Sequence, residues 1–154
     1  MQLGTIDTAA AAAVKTTQNS GVCTGTTIMT LEGETPVEHL SVGDRIITRD
    51  SGMAILKGIR MTSARIAPIR IKAGSLGHTR PDRDMIVAPG ARIHIRDWRA
   101  EAIFGAPTAM VQAQQLVDGE YLAVQEAREM NTFELIFERQ HIIYADGIEM
   151  VTSE

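Results

Sequence analysis

Apolar and polar residues alternate with a period of two along most of the chain after residue 23. Thr27, Met29 and Leu31 share one face against Ile28 and Thr30. Ile69 and Ile71 alternate with Arg70 and Lys72, and Ala91, Ile93 and Ile95 with Arg92, His94 and Arg96. Phe133, Leu135 and Phe137 alternate with Glu134, Ile136 and Glu138. In a strand, successive side chains point to opposite faces, so this pattern predicts half-buried strands. Turn-forming residues separate them: Asp50-Ser51-Gly52, Ala73-Gly74-Ser75, Ala88-Pro89-Gly90, Asp118-Gly119-Glu120 and Asp146-Gly147. Helical periodicity is weak. Residues 111–117 predict one or two turns before Asp118-Gly119. Residues 35–40 predict another, with Thr35 as cap and Pro36 at the first helical position. Many short strands with few helices predict an all-β domain.

Side-chain chemistry refines a few positions. Residues 77–84 read as a charged, exposed loop, and Gly43-Asp44 as a turn in which Asp44 caps backbone donors. Trp98, the single tryptophan, is expected to anchor core or rim packing. Arg65, Arg70, Arg92 and Arg96 read as a solvated strand face rather than an anion site. Asp146 suits a left-handed turn position. Residues 1–21 read as a leader or linker. Ala9 to Ala13 is an alanine run with no basic segment before it, so no secretory signal is expected.

Composition narrows the function classes. The 154 residues are enough for one domain with a sizeable core, here residues 22–154. A formal net charge of −4 argues against nucleic-acid binding, and no apolar run is long enough for a membrane-spanning helix. Phosphate-cradling glycine loops, paired-cysteine zinc motifs and the glycine-flanked serine elbow are absent from the sequence. His39, His78, His94 and His141 are not paired at metal-ligand spacing. A site from Cys23, His94 and His141 is geometrically conceivable, but no metal is expected, and no cofactor is expected either. Cys23 is the only cysteine. It has three readings: a buried small hydrophobe, an incidental thiol, or a nucleophile at the head of a β-meander.

Two blocks at opposite ends of the chain favour the last reading. Cys23, a small-residue step, the strand Thr26-Thr27-Ile28-Met29, the turn Leu31-Glu32-Gly33 and Val42-Gly43-Asp44 follow one another over residues 22–49. Gln140-His141-Ile142-Ile143-Tyr144-Ala145-Asp146-Gly147-Ile148 closes the chain. Residues 68–77, 83–89 and 111–119 fit between them. Together they resemble the Hint domain, the fold shared by hedgehog autoprocessing domains and inteins, in a bacterial branch of that family. The resemblance covers roughly residues 22–150. It implies a horseshoe-like β fold with pseudo-twofold halves, in which the first and last blocks meet.

The resemblance also implies a reaction. Cys23 would attack the Val22 carbonyl, an N-to-S acyl shift that replaces the peptide bond by a thioester. The scissile bond would be Val22–Cys23. The family supplies a Thr/Ser-x-x-His element to polarise the scissile amide and protonate its nitrogen. The aligned positions here are Ala88 and Ala91. Losing one well-placed donor costs about 2.7–4 kcal/mol of transition-state stabilisation, a slowing of about a hundredfold or more. His94 lies three positions after Ala91 and would need a bulge to reach the same face. His141 matches the final-block histidine and would assist Cys23 or the Asp146 turn; it also reads as a satisfied core histidine. Residues 148–154 hold no asparagine, so splicing by asparagine cyclisation is not expected.

Three readings follow. The first is a slow or conditional self-cleaving domain, a single-turnover cysteine-dependent autoprotease. Its partners would be the upstream polypeptide in cis and water or an external nucleophile. A monomer is expected, without nucleic acid or membrane. The second is a Hint-fold module without catalysis that serves in binding or structure. The third is a generic β binding domain with an incidental cysteine. Cys23 favours the first; Ala88 and Ala91 favour the second.

Overall fold

All four stretches of strict alternation form strands. The structure, a computed structural model, describes residues 20–77 and 80–152. The expected leader therefore lies outside the described residues except for Ser20 and Gly21, as does His78 of the charged loop. The described chain is all-β apart from one short helix and two 3-10 turns.

Strands β1 (Val22–Cys23), β6 (Gly58–Ile66) and β12 (Arg128–Ile136) form one sheet in the order β1-β12-β6. The second sheet joins β2 (Thr27–Thr30), β3 (Gly33–Pro36), β4 (Arg45–Thr48), β5 (Gly52–Ile55), β9 (Arg92–Ile95), β10 (Ala109–Gln112), β13 (Ile142–Ala145) and β14 (Ile148–Val151). Its order is β10-β9-β14-β13-β2-β4-β5, with β3 on β2 and a further pairing of β13 with β4. The third sheet holds β7 (Ile69–Ile71), β8 (Met85–Val87) and β11 (Leu122–Val124) in the order β11-β7-β8. Helix α1 (Trp98–Phe104) follows β9.

The period-two pattern decides what faces the core. Ile28, Ile46, Ile69, Ile71, Ile93 and Ile143 are fully buried, and Met29, Ile47, Arg70, His94 and Tyr144 lie on the opposite faces. The buried set forms one hydrophobic cluster. Because β13 lies between β2 and β14, the last block of the chain packs beside the first, with Ala145 opposite Ile28.

Several expectations needed correction. Residues 109–112 extend as β10 before a 3-10 turn at Ala113–Leu116, so the expected helical turns begin later. The turn near residue 37 is 3-10 (Val37–His39), and Pro36 occupies the cap position. Thr35 does not cap it, because Thr35 pairs with Ile28 in the β2–β3 ladder. Trp98 is 65% exposed rather than a packing anchor. It starts α1 on the solvent side, where the Arg99 guanidinium stacks 4.8 Å from its ring centroid. Within the charged loop, Pro81 is buried, while Arg80 and Asp82 pair half-exposed.

Candidate functional site

The surroundings of Cys23 follow from one antiparallel register. Val22 lies opposite Phe133 and Cys23 opposite Thr132. The Thr24 amide continues the ladder by donating to the Asn131 carbonyl at 3.3 Å. Immediately afterwards the chain turns. The Thr26 amide donates to the Cys23 carbonyl at 3.2 Å, and Gly25 adopts φ +92°, a conformation that side chains strain to reach. Glu38 Oε1 accepts from the Gly25 amide at 2.9 Å, and Arg83 donates to the Gly25 carbonyl at 2.8 Å. The turn that carries the cysteine is therefore held from two other parts of the chain.

Cys23 is a free thiol and only 2% exposed. Burial pushes its pKa up to about 11, and the positive charge of Arg128 offsets only part of that. A thiolate in such a pocket lacks the hydration it has in water, so the neutral thiol is favoured.

The last turn is clasped to the first strand. Asp146, 4% exposed at φ 48°, accepts through Oδ1 from the Thr27 hydroxyl at 2.7 Å and the Thr27 amide at 3.1 Å. Its own amide donates to the Thr27 carbonyl at 2.9 Å. Arg83 reaches the same carboxylate at 3.3 Å. Arg83 thus ties together the loop after Cys23, the turn at Asp146 and its own segment.

Ala88 and Ala91 follow β8, which touches β1. Both are fully buried. The Ala91 amide donates to the Ala88 carbonyl at 3.0 Å, closing the turn, and the Ala113 amide donates to the Ala91 carbonyl at 2.8 Å. Methyl groups fill the positions where the resemblance implies a hydroxyl and an imidazole.

His141 is buried at the head of β13. Its amide donates to Thr152 Oγ1 at 2.8 Å, and its carbonyl accepts from the Thr152 amide at 2.8 Å. Its Nδ1 lies 3.0 Å from Asp50 Oδ2, and its ring packs edge-on against Phe137 at 5.5 Å. Burial alone would raise the Asp50 pKa, yet the amides of Ile142 and Asp50 and the His141 ring hold it below the usual carboxylate value. Thr152, which pairs with the His141 backbone, and Val22 line the same small crevice. Asp50 could not be read as its partner from the sequence, being 91 positions away.

His94 stands elsewhere. It projects from β9 into a cavity of about 490 Å3 that neither Val22 nor Cys23 lines. Its Nδ1 lies 2.7 Å from Glu149 Oε1. Arg96 donates to the same carboxylate at 2.8 Å, and Arg49 lies at 3.5 Å. Burial opposes ionisation of Glu149, but these groups outweigh it and hold the pKa low. β9 is a regular strand here, with Ile93 and Ile95 on the core side, and so His94 faces away. Of the residues singled out in the sequence, the structure sets Val22 in one crevice with Ile143, Met150 and Val151 of the closing strands, pairs Cys23 with Thr132 of β12, and places His94 at a different cavity. Among the described residues, no cluster of histidine, cysteine and carboxylate side chains is arranged to hold a metal.

A family model described as the Hint domain matches residues 21–153. No curated protein matches the chain in sequence. Among solved structures, the bacterial intein-like domain from Clostridium thermocellum superposes with a TM-score of 0.56 at 13% identity, covering 88% of this chain and 99% of that one. The AceL NrdHF class 3 split intein, a splice-inactive variant, gives 0.55 at 12%, covering 88% and 98%. The gp41-1 intein gives 0.52 at 12%, covering 87% and 98%. At such identities the likeness is one of fold.

Proposed function

The chain belongs to the Hint domain family, and on that premise we propose that it is a slow autoprocessing domain cutting at Val22–Cys23. The observation that carries this reading is the position of Cys23. A lone, buried thiol ends β1 one tight turn before Thr27, the residue through which the opening block is clasped to Asp146 of the closing block.

In the proposed step Cys23 Sγ loses its proton and attacks the Val22 carbonyl carbon. A carbon–sulfur bond forms and the carbon–nitrogen bond breaks. The Cys23 nitrogen takes up a proton and becomes a free amine, so the product is an isomer of the starting chain. Water, a thiol or hydroxylamine then attacks the thioester and releases residues 1–22. We assign the proton transfer to His141, whose ring is fixed by Asp50 and whose backbone pairs with Thr152, a residue lining the crevice beside Val22. His94 has no part in the step.

The second reading, a Hint-fold module without catalysis, is favoured by one specific set of observations. The methyl groups of Ala88 and Ala91 provide no donor, and the buried thiol resists ionisation. Intact mass of the full chain, incubated with and without hydroxylamine beside Cys23→Ala, separates the two. Autoprocessing predicts hydroxylamine-dependent loss of residues 1–22 in the wild type alone. No loss over days at any pH leaves the inert module.

A further inference from the structure

Upstream of Cys23 the chain crosses the backbone of β12, and β12 limits what it can carry there. A Cβ built on Gly21 would lie 2.9 Å from Thr132 Cβ, 3.0 Å from the Phe133 nitrogen and 3.1 Å from Thr132 Oγ1. Such contacts are shorter than packed side chains tolerate, and one of the three atoms belongs to the backbone. Gly21 has no positive φ, so the requirement is steric rather than conformational. The next position meets a different limit. Val22 is buried and belongs to the main core cluster. The crevice beside it, walled by Phe133, Leu135, Ile143, Met150 and Val151 with Glu134 and Thr152 also at its lining, has only about 20 Å3 free. A polar side chain there would lose its hydration, and a much larger apolar one would overpack the site.

We propose that β12 is the specificity-determining surface for the upstream polypeptide, admitting a chain whose last two residues before Cys23 are glycine and then a mid-sized apolar residue. The segment docks as an added strand. Two paired residues give it little intrinsic strength, so steric admission at residue 21 decides whether it stays down. The consequence for cleavage rests on the autoprocessing reading. The docking itself does not.

Because Cys23 is the only thiol in the chain, its alkylation by iodoacetamide reports docking without any need for cleavage. The test uses the full chain with Gly21→Ala, Thr132→Gly, Gly21→Ala/Thr132→Gly and Gly21→Ala/Thr132→Ala. Each is assayed for alkylation rate and for hydroxylamine-induced release of residues 1–22. Gly21→Ala should alkylate at least about fivefold faster than wild type, as overpacking lifts β1. Adding Thr132→Gly removes two of the three close contacts and should return the rate toward that of Thr132→Gly alone. Adding Thr132→Ala keeps the Cβ and should not. Val22→Phe gives an independent check and should also alkylate faster.

Wild-type alkylation rates in Gly21→Ala and Val22→Phe would overturn the proposal, whether or not the wild type cleaves. The expected alkylation pattern with no wild-type release would keep the recognition surface and reject autoprocessing. Wild-type release, with Gly21→Ala neither alkylating faster nor cleaving more slowly, would do the reverse.

Discussion

A thiol that ionises at about 11 is thiolate in about one molecule in ten thousand at pH 7, a hundredfold fewer than for a thiol at the ordinary value of 9.0. That deficit compounds the missing donors at Ala88 and Ala91. It also has a consequence for folding. The unfolded chain releases the Cys23 proton near pH 9, whereas the folded chain keeps it until about 11. Above pH 9 the folded state therefore binds more protons, and stability falls as pH rises. The two-unit difference corresponds to about 2–3 kcal/mol, present below pH 9 and lost through pH 11. Urea unfolding at pH 8.5 and pH 11 should show that loss in the wild type, and Cys23→Ala should remove this contribution. The sequence made the chemistry at this scale visible by residue type alone: one cysteine, and alanines at two positions where the family pattern has polar groups. It could not reveal the partners. Asp50 and His141, or His94 and Glu149, are brought together only by strand pairing across distant segments.

At the scale of elements, alternation identified strands wherever one face is buried. It failed on β6, whose central residues 60–63 are all exposed. A strand stretch with two wet faces carries no period-two signal. The helix α1 was missed because its seven residues are too few for a periodic pattern. Local side-chain and backbone chemistry sets its two ends. Asp97 caps it by accepting from the Arg99 amide at 3.0 Å, and Gly105 closes it at φ +71°. The turn at Asp146 is the element on which the site depends most. Its carboxylate accepts two bonds from Thr27 and one from Arg83 while buried. Asp146→Ala removes all three and places alanine at a positive φ. We expect a loss of about 2–4 kcal/mol in urea unfolding, with Asp146→Asn losing clearly less because asparagine tolerates the turn and keeps an acceptor.

Across the whole molecule, first and last blocks meet as the resemblance implied, with β13 set between β2 and β14. The family was legible because those blocks carry distinctive turn chemistry at both ends. The degree of activity was not, because it depends on burial. Ala88 and Ala91 are fully buried, and Ala91 belongs to the main hydrophobic core cluster. Restoring the family side chains with Ala88→Thr/Ala91→His should therefore overpack the core. It should lower the melting temperature, at a cost of about 1–3 kcal/mol or more, rather than speed cleavage. Thermal unfolding followed by circular dichroism checks the first expectation, and the release assay the second.

The most direct test of the central claim is the pH–rate profile of hydroxylamine-dependent release of residues 1–22 from the full chain, followed by intact mass. Attack by a buried Cys23 thiolate predicts a rate rising about tenfold per pH unit from pH 7 to 10, absent in Cys23→Ala. A flat profile, or release that persists in Cys23→Ala, would contradict it.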